Sequence, residues 1–202
     1  MLLNRVEKAL MNNPVRELLQ RQYEGRKLLQ MGGRVAGKRC LEVGCGRGVG
    51  AELVLDQFGA KSVDAFDLDE RMVKLARRRL APRGSQVKLW QGSVTKIPAP
   101  DDSYDAVFDF GIIHHVPDWR AALAEIHRVL VPGGRLFAEE VLARFILHPV
   151  WSRVLDHPMH DRFDRASFAG ELEKAGLRVV ASDDLFGNFA WFVADKRDRT
   201  AA

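Results

Sequence analysis

Residues 39–50 read Arg-Cys-Leu-Glu-Val-Gly-Cys-Gly-Arg-Gly-Val-Gly, a stretch that changes character halfway. Its first half predicts a buried parallel strand, because Cys40, Leu41 and Val43 are apolar and Glu42 is a single acid at the tip. Its second half predicts a loop of nearly bare backbone, since glycine recurs at positions 44, 46, 48 and 50. Glycine has no Cβ, so the chain can turn sharply and a ligand can lie directly on the peptide units. Residues 51–58 then read as a helix, and this order of elements predicts a nucleotide-binding loop.

Two nucleotide classes are compatible with that loop. The spacing Gly46-x-Gly48-x-x-Ala51 fits a loose dinucleotide fingerprint, and acids lie about 20 residues further on, where that fold keeps its ribose-binding carboxylate. An NAD(P)-dependent oxidoreductase is therefore one alternative. Glu42, two residues before the first glycine, and the strict alternation of the glycines favour a different nucleotide.

Composition excludes several other classes of protein. The chain has 202 residues, of which 47% are hydrophobic and 29% charged, which suits one soluble globular domain. The net charge is +4, and much of the excess lies on and just after one predicted helix, at Arg71, Lys74, Arg77, Arg78, Arg79 and Arg83. Such a run is typical of a solvated helix face, so we expect no nucleic-acid partner.

The two cysteines and the termini predict a cytoplasmic protein. Cys40 and Cys45 flank the end of one strand, which is not the pattern of a disulfide framework. The first residues lack the apolar core of a signal peptide, and no apolar run approaches the roughly 18 residues of a membrane-spanning helix.

Strands and helices alternate along most of the chain, which predicts an α/β fold with a mostly parallel sheet covered on both faces. Helices are expected over residues 2–11 and from Asn13-Pro14 towards Met31, and Pro132-Gly133-Gly134 predicts a turn before the fifth strand. The last two predicted strands are joined by residues 183–188. Six residues are too few for a helical crossover, so these strands should form an antiparallel hairpin.

The motif Glu42-Val-Gly-Cys-Gly-Arg-Gly and residues 101–140 together resemble the class I S-adenosylmethionine-dependent methyltransferases of the type 11 group. This group includes the ubiquinone and menaquinone C-methyltransferases, which carry Arg-Asn roughly where this chain has His114-His115. The resemblance covers about residues 38–140 and extends thinly to 195. It implies a Rossmann-like doubly wound sheet with a C-terminal antiparallel hairpin strand, S-adenosylmethionine as cofactor, and methyl transfer to a small, apolar or aromatic molecule by in-line displacement.

The resemblance also implies a set of cofactor contacts. Asp67 ends the second strand, where a carboxylate can accept both ribose hydroxyls, whereas Asp69 better suits the cap of the next helix. Leu68 and Met72 would contact the adenine. Ser93 stands where the family usually has an acid, and its hydroxyl can still accept from the adenine amino group. The complete implied set is Glu42, Gly44, Cys45, Gly46, Gly48, Asp67, Leu68, Met72, Gly92, Ser93, Val94 and Phe110.

His114 and His115 follow the fourth strand and are the candidate catalytic residues. At that edge of the sheet an imidazole could take a proton from a hydroxyl, thiol or carbon acid as the methyl group arrives. The alternative is that one histidine packs against Pro117 and Trp119 and only shapes the loop. His157-x-x-His160 beside His148 and Asp161 suggests a metal site, but spacing alone is a poor signal without a cysteine or glutamate partner in a tight cluster, so no metal is expected.

The chain reads as one domain over residues 1–202, with an N-terminal helical lid (1–34), a cofactor-binding core (38–140), a substrate or lid insert (141–164) and a C-terminal helix with its hairpin (165–195). The apolar surplus of the insert and the N-terminal helices suits a lid, an apolar substrate pocket or a peripheral membrane-surface contact, and these remain open. A cofactor-binding partner protein without turnover is the third functional alternative. The oligomeric state is left undetermined.

Overall fold

The computed structural model of the chain describes residues 13–149 and 160–198. Seven strands form one sheet: β1 (Arg39–Val43), β2 (Ser62–Asp67), β3 (Val87–Gln91), β4 (Tyr104–Phe110), β5 (Leu130–Val141), β6 (Leu177–Leu185) and β7 (Phe189–Lys196). Their order across the sheet is β3-β2-β1-β4-β5-β7-β6. The first five strands are mutually parallel, and β7 is antiparallel to both of its neighbours. The expected α/β doubly wound sheet with an antiparallel C-terminal hairpin is confirmed.

Helices cover both faces of this sheet. They are α1 (Pro14–Leu19), α2 (Gly25–Gly32), α3 (Val49–Asp56), α4 (Glu70–Leu80), α5 (Trp119–Val129), α6 (Ala143–Ile146) and α7 (Arg165–Lys174). A π-helical segment, Gln20–Glu24, joins α1 to α2, and 3₁₀ turns occupy Ala81–Gln86 and Ile113–His115. The predicted helix over residues 2–11 lies outside the described residues.

Two apolar cores lie on opposite faces of the sheet. One is formed with α2, α3 and α4 and includes Leu28, Leu53 and Leu80. The other is formed with α5 and α7 and includes Trp119 and Phe168. Because both faces are covered, the central strands β1 and β4 are buried along almost their whole length.

The fifth strand differs from the sequence-based expectation. Pro132-Gly133-Gly134 predicted a turn before the strand, but β5 begins at Leu130, and the pairing with β4 shifts register between Tyr104 and Ala106. Gly133 has φ 73° within this irregularity. The turn residues therefore form a bulge inside a longer strand, because pairing on both sides of them keeps the segment in the sheet.

The N-terminal helix starts where the sequence indicated. The Asn13 side chain accepts a hydrogen bond from the Arg16 amide at 2.9 Å, and Pro14 occupies the first turn, where its missing N–H costs nothing. None of the side chains of α1 is buried. The helix is joined to the body of the domain by ion pairs, in which Arg79 on α4 holds Glu17 of α1 and Glu52 of α3.

Candidate functional site

A cavity of about 400 Å³ opens at the carboxyl ends of β1, β2, β3 and β4. In a parallel α/β sheet this edge is where ligands bind, because the loops there diverge from neighbouring strands. Of the residues implied by the resemblance, the cavity lining contains Glu42, Gly44, Cys45, Gly46, Asp67, Leu68, Met72, Gly92, Ser93, Val94 and Phe110. The folded chain thus brings together residues from four separate loops.

Glu42 lies at the inner end of the cavity. It is only 2% exposed, its carboxylate accepts a hydrogen bond from the Ala51 amide, and its Oε2 has no hydrogen-bond partner among the described residues. Burial raises the pKa of this carboxyl well above its usual range, and the nearby charge of Asp67 raises it further. A Cβ at Gly50 would collide with the Glu42 carboxylate, so the last glycine of the loop makes room for this acid.

Gly46 and Gly48 of the same loop have different surroundings. Gly46 has φ 50°, lies on the cavity lining, and would have no heavy atom within 4 Å of an added Cβ. Gly48 lies outside the lining, and a Cβ there would come within 2.8 Å of Leu80 on α4. Gly48 therefore allows α3 to pack against α4, and the cofactor contact that the resemblance implied for it stays a prediction.

Asp67 holds the glycine loop as well as facing the cavity. Its Oδ2 accepts a hydrogen bond from the Gly46 amide at 2.9 Å, and its Oδ1 accepts one from the Asp69 amide at 2.8 Å. A carboxylate oxygen has two acceptor sites, so each oxygen can still accept a ribose hydroxyl. Asp69 caps α4 through the Arg71 amide, as the sequence indicated.

The adenine-side residues form an apolar wall with one polar group. Leu68, Met72 and Val94 line the cavity together with Ser93. The Ser93 hydroxyl lies 2.9 Å from the Thr95 hydroxyl, and it also accepts from the Thr95 amide at 3.3 Å. Thr95 thus supports the serine that stands in the place of the family's acid.

The two candidate catalytic histidines are separated by the fold. His115 lines the cavity, whereas His114 is 3% exposed and lies behind it, with Nδ1 2.6 Å from Oε2 of Glu140. The two rings contact each other with centroids 4.1 Å apart. Of the two histidines, His115 therefore lines the cavity, and the His114 ring packs against it from behind.

Two buried acids lie beneath this loop. Asp109 at the end of β4 and Glu140 near the end of β5 are neighbours in the interior, and both are fully enclosed. Burial raises the pKa of Asp109 well above its usual range, and the neighbouring Glu140 carboxylate raises it further. Burial also raises the pKa of Glu140, to about 7. Both pKa shifts have the same direction, so the pair holds a proton more tightly than two exposed carboxyl groups would.

The Glu140→Gln variant is expected to change how the free energy of unfolding depends on pH. Because the pKa of Glu140 is raised to about 7, the folded protein binds this proton more tightly than the unfolded chain does. The resulting stabilisation is complete below the ordinary carboxyl pKa of about 4.3 and is lost as the pH rises through the folded value, which amounts to about 3 kcal/mol. Glutamine does not titrate, so the variant should lack this loss.

Urea denaturation of both proteins at several pH values between about 5 and 8 measures the difference. Glu173→Gln is the matched control, because the Glu173 carboxylate also accepts a backbone amide, from Val179, but has a lowered pKa. Glu173→Gln should change the free energy of unfolding only as the pH falls through the acid range. Parallel curves for wild type and Glu140→Gln would contradict the expectation.

Several lining residues were not found from the sequence. Arg16 and Gln20 reach the cavity from α1 and the π-helical segment, and Ile112, Val116, Pro117 and Asp118 line it from the β4–α5 loop. No local pattern marks Arg16 or Gln20, which are far in sequence from the remaining lining residues. Asp109 and Glu140 could have been found, because an acid at the carboxyl end of a strand was the reason for selecting Asp67.

The arrangement fits S-adenosylmethionine. The orphaned oxygen of Glu42, the open face of Gly46 and the two-sided carboxylate of Asp67 supply acceptors and bare backbone beside an apolar wall.

Within the described residues no group of three or more acidic, histidine or cysteine side chains could hold a metal ion. No helix over residues 13–149 and 160–198 is long and apolar enough to cross a membrane.

Comparison with known proteins agrees with this geometry. Residues 41–138 match the family model described as "Methyltransferase domain". A probable S-adenosylmethionine-dependent methyltransferase of Mycolicibacterium smegmatis is 37% identical over 157 residues, covering 77% of this chain and 57% of the relative. A fatty-acid O-methyltransferase of the same organism is 35% identical over 133 residues, covering 65% of this chain and 47% of the relative. The chain thus spans about half the length of the curated relatives it matches.

Among solved structures, the chain is similar to one from a complex between the Haloferax volcanii Trm112 methyltransferase activator and a candidate methyltransferase. The TM-score is 0.77 at 20% identity, over 96% of this chain and 99% of the matched chain. At this identity the likeness shows the fold alone. The family match and the fold confirm the resemblance inferred from the sequence, because residues 41–138 match a methyltransferase domain and the fold is that of the class I methyltransferases.

Proposed function

We propose that the protein is an S-adenosylmethionine-dependent methyltransferase that acts on a small, apolar or aromatic molecule. The observation that carries the proposal is the cavity in which Glu42, Gly46 and Asp67 converge from separate loops at the carboxyl edge of the sheet. An NAD-binding domain would share the glycine loop but not the antiparallel hairpin that closes this sheet. The names of the relatives also support the proposal.

The acceptor class is supported by apolar surface at the same edge of the sheet. Val15, Leu18, Leu19 and Tyr23 on α1 and the adjoining π-helical segment are exposed, as is Phe186 in the turn between β6 and β7. One relative is named for methylation of a fatty acid. An apolar acceptor would enter past these side chains, and a peripheral contact with a membrane surface would use the same face.

The sulfonium of S-adenosylmethionine makes its methyl group a ready electrophile, so the protein has mainly to align the reactants and exclude water. Asp67 would hold the ribose hydroxyls, and Leu68, Met72 and Val94 would enclose the adenine. His115 lies on the cavity wall and could take a proton from an acceptor of the hydroxyl, thiol or carbon-acid type. An amine or thiolate acceptor would need no such base.

Calorimetry with three ligands tests the proposed function. S-adenosylmethionine and S-adenosylhomocysteine should bind with micromolar affinity, and NAD should not bind. Tight NAD binding would favour the oxidoreductase alternative. A screen of methyl acceptors, with fatty acids and quinols included, then separates an enzyme from a cofactor-binding partner protein, which would bind the cofactor but turn over nothing.

The N-terminal lid proposal leads to a prediction on hydrogen exchange. Arg16 and Gln20 line the cavity, yet α1 buries no side chain and is held by ion pairs. S-adenosylhomocysteine should therefore slow exchange in residues 14–24 by about tenfold or more, because the ligand adds contacts to a weakly held helix. Arg79→Ala should accelerate exchange there in the free protein. Unchanged protection of α1 on ligand binding would contradict the lid.

The insert, residues 141–164, differs from the N-terminal helices in its position relative to the cavity. Its described residues, 141–149 and 160–164, are not part of the cavity lining. Arg162 nevertheless donates a hydrogen bond of 2.5 Å to the His114 carbonyl, so the insert touches the loop that bears the histidines. The same exchange experiment reports on this segment, and the predicted closure requires it also to gain protection.

The histidines are tested once an acceptor is known. If His115 acts as a base, His115→Ala should lose about 10²-fold or more in turnover while binding S-adenosylmethionine normally. His114→Ala should have a smaller effect, because His114 lies behind the wall. Near-native turnover by both variants would mean that the histidines only shape the loop and that alignment alone suffices.

A further inference from the structure

The loop between β4 and α5 carries the cavity residues Ile112 and His115, and its backbone is held from outside by three charged side chains. Asp109 accepts a hydrogen bond from the Ile112 amide at 2.9 Å. Arg162 donates to the His114 carbonyl. Glu140 makes the largest number of these contacts.

Glu140 accepts two backbone hydrogen bonds from consecutive residues of the loop and makes a third contact with a ring nitrogen of the second residue. Oε1 accepts from the Ile113 amide at 2.8 Å, and Oε2 accepts from the His114 amide at 3.1 Å. Oε2 also lies 2.6 Å from Nδ1 of the His114 ring. Only a group with two acceptor oxygens can satisfy these donors together, since an amide in the same place offers one oxygen and one NH₂.

The contacts lead from Glu140 to the cavity in one continuous series. The carboxylate fixes the His114 ring, that ring contacts the His115 ring, and His115 lines the cavity. Glu140 is fully buried, and burying a carboxylate is costly unless hydrogen-bond donors surround it. Here the loop supplies those donors, so the orientation of the loop depends on the charge of Glu140.

We propose that Glu140 is a positioning residue for methyl transfer, which acts through His114 and the loop amides to fix His115 against the cavity wall. The proposal rests on the proposed function for its role in the reaction, but its structural content can be tested without an acceptor. Asp109 supports it by accepting from the Ile112 amide of the same loop, and Arg162 supports it by donating to the His114 carbonyl.

The test compares the wild type with Glu140→Gln by NMR of isotope-labelled histidine. The chain has six histidines, and loss of one signal in His115→Gln assigns His115. In Glu140→Gln the apparent pKa of His115 should shift by about 0.5 or more. Amide exchange over residues 112–115 should become about tenfold faster, because at least one amide loses its acceptor. Glu173→Gln, the matched control at the far edge of the sheet, should change neither.

A His115 titration identical to that of wild type in a folded Glu140→Gln would overturn the proposal. So would a general loss of protection over the whole sheet, which would make Glu140 a fold determinant only. If Glu140→Gln does not fold, His114→Asn removes the ring that links Glu140 to His115 and leaves both loop amides bonded. That variant should shift the His115 titration with the loop still protected, and an unchanged titration would again overturn the proposal.

Binding of S-adenosylhomocysteine separates this proposal from the proposed function. Glu140→Gln should bind it within about threefold of wild type, because Glu140 does not line the cavity. Absence of binding by the wild-type protein would refute the proposed function, while the His115 titration would still report on the role of Glu140. Loss of binding in Glu140→Gln alone would count against a role confined to His115 and its loop.

Discussion

Asp67→Ala is expected to bind S-adenosylhomocysteine about 5- to 150-fold more weakly than wild type. The substitution leaves two ribose hydroxyls without an acceptor in a partly buried site, which costs about 1–3 kcal/mol. It also removes the acceptor of the Gly46 and Asp69 amides, so the glycine loop loses the side chain that holds it. Isothermal calorimetry with the product analogue measures the affinity without an acceptor.

Asp69→Ala is the matched control for this measurement. Asp69 is the cap of α4, so its loss should lower the free energy of unfolding by about 1 kcal/mol and change the affinity little. A comparison of the two variants thus separates loss of a cofactor contact from loss of a helix cap. Equal affinity of wild type and Asp67→Ala would refute the assignment of Asp67 to the ribose.

Gly46→Ala is expected to lower cofactor affinity by about tenfold or more. Gly46 lies on the cavity lining with φ 50°, and the added methyl group would occupy the face of the peptide on which a ligand can lie. An L-residue in this left-handed conformation also costs about 1 kcal/mol in stability. Calorimetry gives the first effect, and urea denaturation gives the second.

Gly37→Ala separates these two effects. Gly37 has φ 75°, and like Gly46 it would have no heavy atom within 4 Å of an added Cβ, but it does not line the cavity. Both variants should therefore lose similar stability, and only Gly46→Ala should lose affinity. If both variants bound S-adenosylhomocysteine as tightly as wild type, the cofactor would not lie against the Gly46 peptide.

Much of the fold followed from local features of the sequence. The glycine loop after β1, the alternation of strands and helices, and the short link between the last two strands each depend on residues close together in the chain. The structure confirms the mostly parallel sheet and the antiparallel hairpin. It differs at Pro132-Gly133-Gly134, where the same turn-forming residues became a bulge because pairing on both sides outweighed their local preference.

The candidate site was only partly accessible to this reasoning. Asp67 and the loop glycines could be located because the carboxyl end of a parallel strand has a known position in the sheet. Arg16 could not, since nothing near it in sequence indicates that α1 lies over the cavity. Nor could neighbouring positions be distinguished, although Gly46 faces the cavity and Gly48 faces Leu80.

The sequence by itself determined the class of fold, the type of nucleotide loop and the acid at the end of β2. The folded chain alone establishes that His115 lines the cavity while His114 is buried against Glu140, and that Asp109 and Glu140 are buried as neighbours. The reason is physical. Backbone geometry and strand order depend on short-range chemistry, whereas the direction, burial and charge state of a side chain depend on the partners that distant segments bring to it.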